Sequence, residues 1–247
     1  VPAGAPGSRA LWGVPEPSDT STPADAAAAD TVPGRRAVWA PNLAAFAIGF
    51  AMFGSFILIP QITQAPESTG YGFGLNATQA GLVMVPSSIV MLIAGPLSGW
   101  LSTRVGSRIP LAAGAAFAAT SFAVLAAAHE RLWTIVVGAT LLGIGISLAF
   151  AAMANLVVAA VPATHVGVAT GINAIMRSIG GAVGGQVAAS LLSSHLLANG
   201  MPAESGYTSA FAMSGGAALV ALAVCALVPS SRPGRRAGTG EPARVAA

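Results

Sequence analysis

Charge is scarce in this sequence. Asp, Glu, Lys and Arg together make up 8% of its 247 residues, where an ordinary soluble domain carries about 25%. Lysine is absent, so all 11 basic residues are arginine. Between Val38 and Val228 the only acids are Glu67, Glu130 and Glu204, and each sits at a break in an apolar run rather than inside one. Cys225 is the single cysteine, which excludes a disulfide framework and a paired-cysteine metal site. His129, His165 and His195 lack metal-ligand spacing, so no metal is expected. No Ser/His/Asp constellation or phosphate-cradling glycine loop stands out, so neither catalysis nor a cofactor is expected. The net charge of +3 and pI near 10.0 raise the question of nucleic acid. The arginines are scattered between apolar runs and form no basic face with interleaved aromatics, which argues against that partner.

What is present is apolar sequence. A hydrophobic share of 54% and a mean hydropathy of +0.74 are the composition of a membrane protein. Residues 1–37 are rich in Pro, Ala, Gly, Ser, Thr and Asp without apolar periodicity and predict a disordered polar N-terminal segment. That segment lacks the basic start and unbroken apolar core of a signal peptide. Val1 in place of Met fits a fragment or an alternative start codon translated literally. Apolar runs then predict transmembrane helices over 38–61, 79–101, 109–128, 132–161, 166–192 and 207–228. About 20 residues at roughly 1.5 Å each cover a hydrocarbon core of about 30 Å. Pro86 and Pro96 fall inside the second run, where neighbouring helices can satisfy the freed backbone groups. Residues 230–247 read as a basic, flexible tail.

The arginines orient these spans. Arg35 and Arg36 precede the first, Arg104 and Arg108 lie between the second and third, and Arg232, Arg235 and Arg236 follow the sixth. The alternate connections hold Glu67, the balanced Glu130 and Arg131, and Glu204. Basic residues mark the cytoplasmic side, so both termini are expected there. Only His165 occupies the fourth connection, which is uninformative.

Two stretches carry motifs. From Gly95 to Arg108 the chain has Gly99, Leu101, Arg104, Gly106 and Arg108 in the register of Gly-x-Leu-x-Asp-Arg-x-Gly-Arg-Arg/Lys, with Thr103 in the acid's place and Ser107 in that of one base. This resembles the signature loop of the major facilitator superfamily, in its degenerate second-half copy. A generic positive-inside turn is the plainer reading. In the fifth run, Thr170, Asn173, Arg177, Gly180, Gly181, Gly184 and Ala188 recur at spacings of three and four, with Ile172, Ile175, Ile179 and Val183 opposite. The polar and small face must therefore pack closely on a partner. An Asn and an Arg before a Gly-rich run resemble the penultimate helix of the fourteen-spanner drug:proton antiporters of that superfamily. The order of features from Pro41 to Val228 is similar throughout.

An arginine at the depth of Arg177, roughly 16 Å along its helix, costs about 2.5–3.5 kcal/mol unless it meets water or a partner. It either lines a pathway or interface together with Asn173, or snorkels to the headgroups and ties helices together. Asn155 and Gln186 are weaker candidates of the same kind, since a lone amide more often bonds a neighbouring helix. Gly95 and Gly99 offer a smooth face for close helix contact, as do Gly180, Gly181 and Gly184.

The fold expected is an all-α membrane protein whose six transmembrane helices form one major facilitator half-bundle, facing a partner through helices 1, 2, 4 and 5 and lipid through helices 3 and 6. The resemblance implies export of lipophilic or cationic drugs by proton-coupled antiport. With no acid in its spans, this chain is expected to be a C-terminal fragment whose coupling carboxylates belong to a missing N-terminal half; a second copy could also complete it. The alternative is a six-helix membrane assembly module, or an inert remnant, without transport of its own. Exclusive use of arginine together with abundant Ala and Gly resembles the codon bias of a GC-rich bacterium; the localisation expected is a bacterial inner (cell) membrane. A cytoplasm-active reporter fused after Arg236 should be active; a signal from the opposite side refutes the orientation.

Overall fold

In hydrocarbon every backbone polar group must find its partner inside the chain, so apolar runs of this length can only be helices. The structure, a computed structural model, describes residues 35–227, with side chains from Trp39 onward. The tail 230–247 and residues 1–34 of the polar N-terminal segment lie outside the described residues, whereas 35–37 already belong to the first helix. Six helices follow in order: α1 Arg35–Gln64, α2 Ala77–Val105, α3 Arg108–Ala127, α4 Leu132–Ala160, α5 Val166–Ser194 and α6 Glu204–Cys225. All six are long and apolar enough to cross a membrane.

Local chemistry explains where the ends depart from the apolar runs. Asn76 and Gln79 form a reciprocal capping box, with the Gln79 N–H donating to Asn76 Oδ1 at 2.9 Å and the Asn76 N–H to Gln79 Oε1 at 3.1 Å. It starts α2 two residues ahead of the expected span. At the other end α2 continues through Ser102, Thr103 and Arg104, because a helix need not stop where hydrocarbon does. The signature turn is thus only Gly106 and Ser107 long, and Gly106 adopts φ 83° there, a conformation suited to glycine. Glu204, expected in a loop, is instead the first residue of α6, where an acid complements the helix dipole.

The helices meet backbone to backbone. A methyl added to Gly49 would strike the Arg177 carbonyl, and one on Gly180 or Gly184 the carbonyl of Phe46 or Phe50. Between α3 and α4, a methyl on Gly114 would lie 2.6 Å from the Gly145 carbonyl oxygen, and one on Gly145 2.7 Å from that of Gly114. Gly143 approaches the Ser87 carbonyl of α2 in the same way. Hydroxyls cross the same seams: Ser98 donates to the Leu148 carbonyl at 2.9 Å, Ser147 to that of Met91 at 2.8 Å, and Ser121 to that of Gly138 at 2.7 Å. The α2 contact stripe is therefore Ala94, Ser98 and Ser102, all buried. Gly95 has only Ser147 Oγ near its Cβ position and Gly99 has nothing within 4 Å, so the expected Gly95/Gly99 face is displaced by one residue.

The principal pairings are α1 with α5, α1 with α6, α2 with α4, α3 with α4, and α3 with α6. Exchanging α1 to α3 for α4 to α6 carries this set onto itself. Helices three apart run in opposite directions, so the bundle is an inverted repeat of two three-helix units. Helices α1 and α4 are the best buried, while α2 and α5 are the most open. Leu82, Ile89, Leu92 and Ile93 of α2, and Val168, Ile172, Ile175 and Ile179 of α5, all stand exposed.

Gly180 and Gly171 lie on one helix yet should respond oppositely to a methyl. Gly180→Ala forces α1 and α5 apart and should destabilise by about 1–3 kcal/mol. Gly171→Ala, with nothing within 4 Å of its Cβ position, should be neutral or stabilise by up to about 1 kcal/mol. Thermal unfolding in detergent compares them; equal shifts would contradict the crossing.

Candidate functional site

The small face of α5 turns inward onto α1, and Ile172, Ile175, Ile179 and Val183 turn outward. This seating buries Asn173, whose Nδ2 donates to Asn42 Oδ1 at 3.1 Å and to the Pro41 carbonyl at 3.3 Å. Thr170, on the same face, spends its hydroxyl on its own helix, donating to the Val166 carbonyl at 2.8 Å. One turn beyond Asn173, Arg177 is half-buried, and its guanidinium carbon lies 4.5 Å from the ring centroid of Phe150 on α4. Such a cation–π contact is worth about 0.5–2 kcal/mol, less than the roughly 2.5–3.5 kcal/mol of placing arginine at this depth. The guanidinium therefore still needs water or a further polar partner.

The other amides lie apart from this pair. Asn155 on α4 and Gln186 on α5 are exposed and share no hydrogen bond with Asn173 or Arg177 among the described residues. Two hollows open near the ends of α1. One, of about 460 Å³, involves Pro60, Tyr71, Pro202 and Tyr207; the other, of about 370 Å³, involves Trp39, Leu43, Met176 and Val224. Neither includes Asn173 or Arg177.

In the signature stretch Thr103 and both arginines have structural tasks, whereas the buried Ser102 hydroxyl has no hydrogen-bond partner among the described residues. Arg104 stacks over Trp100, 5.1 Å from the ring centroid. Thr103, where the motif has an acid, donates back to the Trp100 carbonyl at 2.7 Å and bonds no other helix among the described residues. Arg108 Nη2 donates to the Ala226 carbonyl at 3.2 Å, so a cation closes the negative end of α6. The sequence hides this last contact, because the two residues are 118 positions apart.

Sequence reasoning also misses a cluster at the opposite end. His129, read as a turn residue, is buried and pairs with Glu204. Tyr71 stacks near Tyr207 at 5.4 Å between centroids, and its hydroxyl donates to the Pro202 carbonyl. The alternation of spans puts these connections at one end, which is the only signal in the sequence for their meeting.

A family model described as Major Facilitator Superfamily matches residues 41–246. The chain belongs to the major facilitator superfamily. Membership places it in a superfamily of multi-pass membrane transporters. It is 32% identical over 150 residues to the multidrug resistance protein Stp of Mycobacterium tuberculosis, covering 60% of this chain and 27% of Stp. It is 36% identical over 162 residues to the cephamycin export protein CmcT of Amycolatopsis lactamdurans, covering 63% of this chain and 32% of CmcT. The chain thus spans about a third or less of these relatives. A solved structure, described in a study of substrate recognition in proton-dependent oligopeptide transporters, superposes with a TM-score of 0.66 at 18% identity. That match covers 80% of this chain and 42% of the other, and it supports the helical fold of the bundle.

The Asn173–Asn42 bond can be weighed directly. Hydrogen bonds between membrane helices average about 0.6 kcal/mol by double-mutant cycles, with a maximum near 1.7. A cycle of Asn42→Ala and Asn173→Ala, followed by unfolding in detergent, should give a coupling within that range. Zero coupling would show that the amides merely share space.

Proposed function

We propose that this six-helix bundle is one half of a drug exporter, completed by a second six-helix half, that moves lipophilic or cationic compounds by proton-coupled antiport. The observation that carries the reading is Arg177. It sits deep in a span, stacked on Phe150 and incompletely compensated there. A water-filled pathway lined partly by another half would supply the missing polar environment, and Asn173 beneath it holds α5 to α1. The open apolar faces of α2 and α5 suit a neighbouring half better than lipid alone requires. The multidrug resistance named for Stp and the cephamycin export named for CmcT support the reading as a drug exporter. No acid lies in midspan among the described residues, so the coupling carboxylates are assigned to the other half. Both termini are taken as cytoplasmic, and Asn155 and Gln186 as interface residues.

A second reading rests on that same lack of midspan acids: a membrane assembly module that transports nothing. In the complete transporter containing this unit, Arg177→Ala should abolish drug efflux with membrane abundance unchanged. Efflux equal to wild type would refute the role of Arg177. Absence of efflux from the wild-type complete protein would favour the assembly module.

A further inference from the structure

Contacts from three connections converge at the end of the bundle away from Arg108. His129, in the turn between α3 and α4, has a side chain only 6% exposed, while that of Glu204, at the start of α6, is 51% exposed. The ring of Phe211 lies beside the imidazole, 6.3 Å between centroids. His129 Nδ1 is 2.9 Å from the Leu125 carbonyl oxygen, and Nε2 is 3.1 Å from Glu204 Oε1.

These partners fix the proton count. A main-chain carbonyl only accepts, so Nδ1 must carry hydrogen. A neutral ring would then turn the bare lone pair of Nε2 towards a carboxylate oxygen, acceptor against acceptor. The contact closes only with a proton between Nε2 and Oε1, bound to either. We infer that His129 and Glu204 form a proton-binding site that latches the α3–α4 turn to the first turn of α6 when occupied and releases it when empty.

The surroundings leave this proton as the switch. Glu130 and Arg131, in the same turn, Glu67, in the α1–α2 connection, and His195, which packs beside Gly206 of α6, are exposed, so solvent screens them. His129–Glu204 is the one ion pair among the described residues. Tyr207 faces Tyr71, whose hydroxyl holds the Pro202 carbonyl. Burial pushes the Tyr71 phenol above its ordinary pKa; a hydrogen bond from Thr69 partly offsets this, and the charge of Glu204 adds to the rise. Tyr71 therefore remains a donor while the imidazole gains and loses its proton. It clips the α5–α6 connection to the α1–α2 connection regardless, so only the bond from α6 to the α3–α4 turn responds. The site depends neither on transport nor on which end faces the cytoplasm.

The full chain, labelled with ¹⁵N-histidine in phosphatidylcholine nanodiscs, tests this. Imidazole ¹⁵N shifts follow the His129 proton, with exposed His165 and His195 as references. Hydrogen exchange over residues 204–210, corrected for its intrinsic pH dependence, follows the latch. In wild type, protection should fall about tenfold as pH rises, with the same midpoint as loss of the shared proton. Glu204→Gln separates closure from protonation, because its carboxamide N–H can donate to a neutral Nε2; protection should then stay high at every pH. Glu204→Ala should be poorly protected throughout. Wild-type protection that ignores pH overturns the proposal, and so does a Glu204→Gln profile that keeps the wild-type pH dependence.

Discussion

Helices dissolved in lipid gain nothing from hiding apolar side chains from one another, because the surrounding tails are equally apolar. What holds this bundle is close approach of backbones where side chains are missing. Gly49, Gly180 and Gly184 seat α5 on α1, and Gly114, Gly143 and Gly145 seat α4 between α3 and α2. With the axes this near, even short hydroxyls reach across. Ser98, Ser121 and Ser147 each find a carbonyl on the opposing helix, and the Asn173 amide finds Pro41 and Asn42. The small residues come first, and the polar contacts depend on the distance they set.

The inverted repeat follows from the same seams. The α1–α5 and α4–α2 crossings are counterparts, and α3 and α6 pack together behind them. Each end of the bundle then has its own polar closure. At one end Arg108 donates to the Ala226 carbonyl that caps α6; at the other His129 holds the first turn of the same helix. Both ends of α6 are thus tied to α3 or to the turn that follows it.

Much of this is legible in the sequence for a physical reason: hydrocarbon length and helical periodicity constrain each span by itself. The inward face of α5 can be read from spacings of three and four, because Asn173, Gly180, Gly181, Gly184 and Ala188 fall on one side and its isoleucines on the other. The face of α2 cannot. Gly95 and Gly99 compete with Ala94, Ser98 and Ser102 one residue away, and only docking against Ser147 and Leu148 selects between the two stripes. Contacts between helix ends are hidden for another reason. His129 and Glu204 are 75 residues apart and individually resemble ordinary loop residues, so nothing local marks them as a pair. Arg177 lies between these cases, since its depth is visible in the sequence but its stacking on Phe150 is not.

The approach of Gly49 to the Arg177 carbonyl has a mechanical meaning. With no side chain between the two backbones there is no soft layer to absorb a displacement, so α1 and this stretch of α5 must move as a single lever. Phe150 belongs to α4, which pairs mainly with α2 and α3. The stacked guanidinium therefore spans the joint between two levers, and rocking one against the other would pull the charge off its aromatic seat.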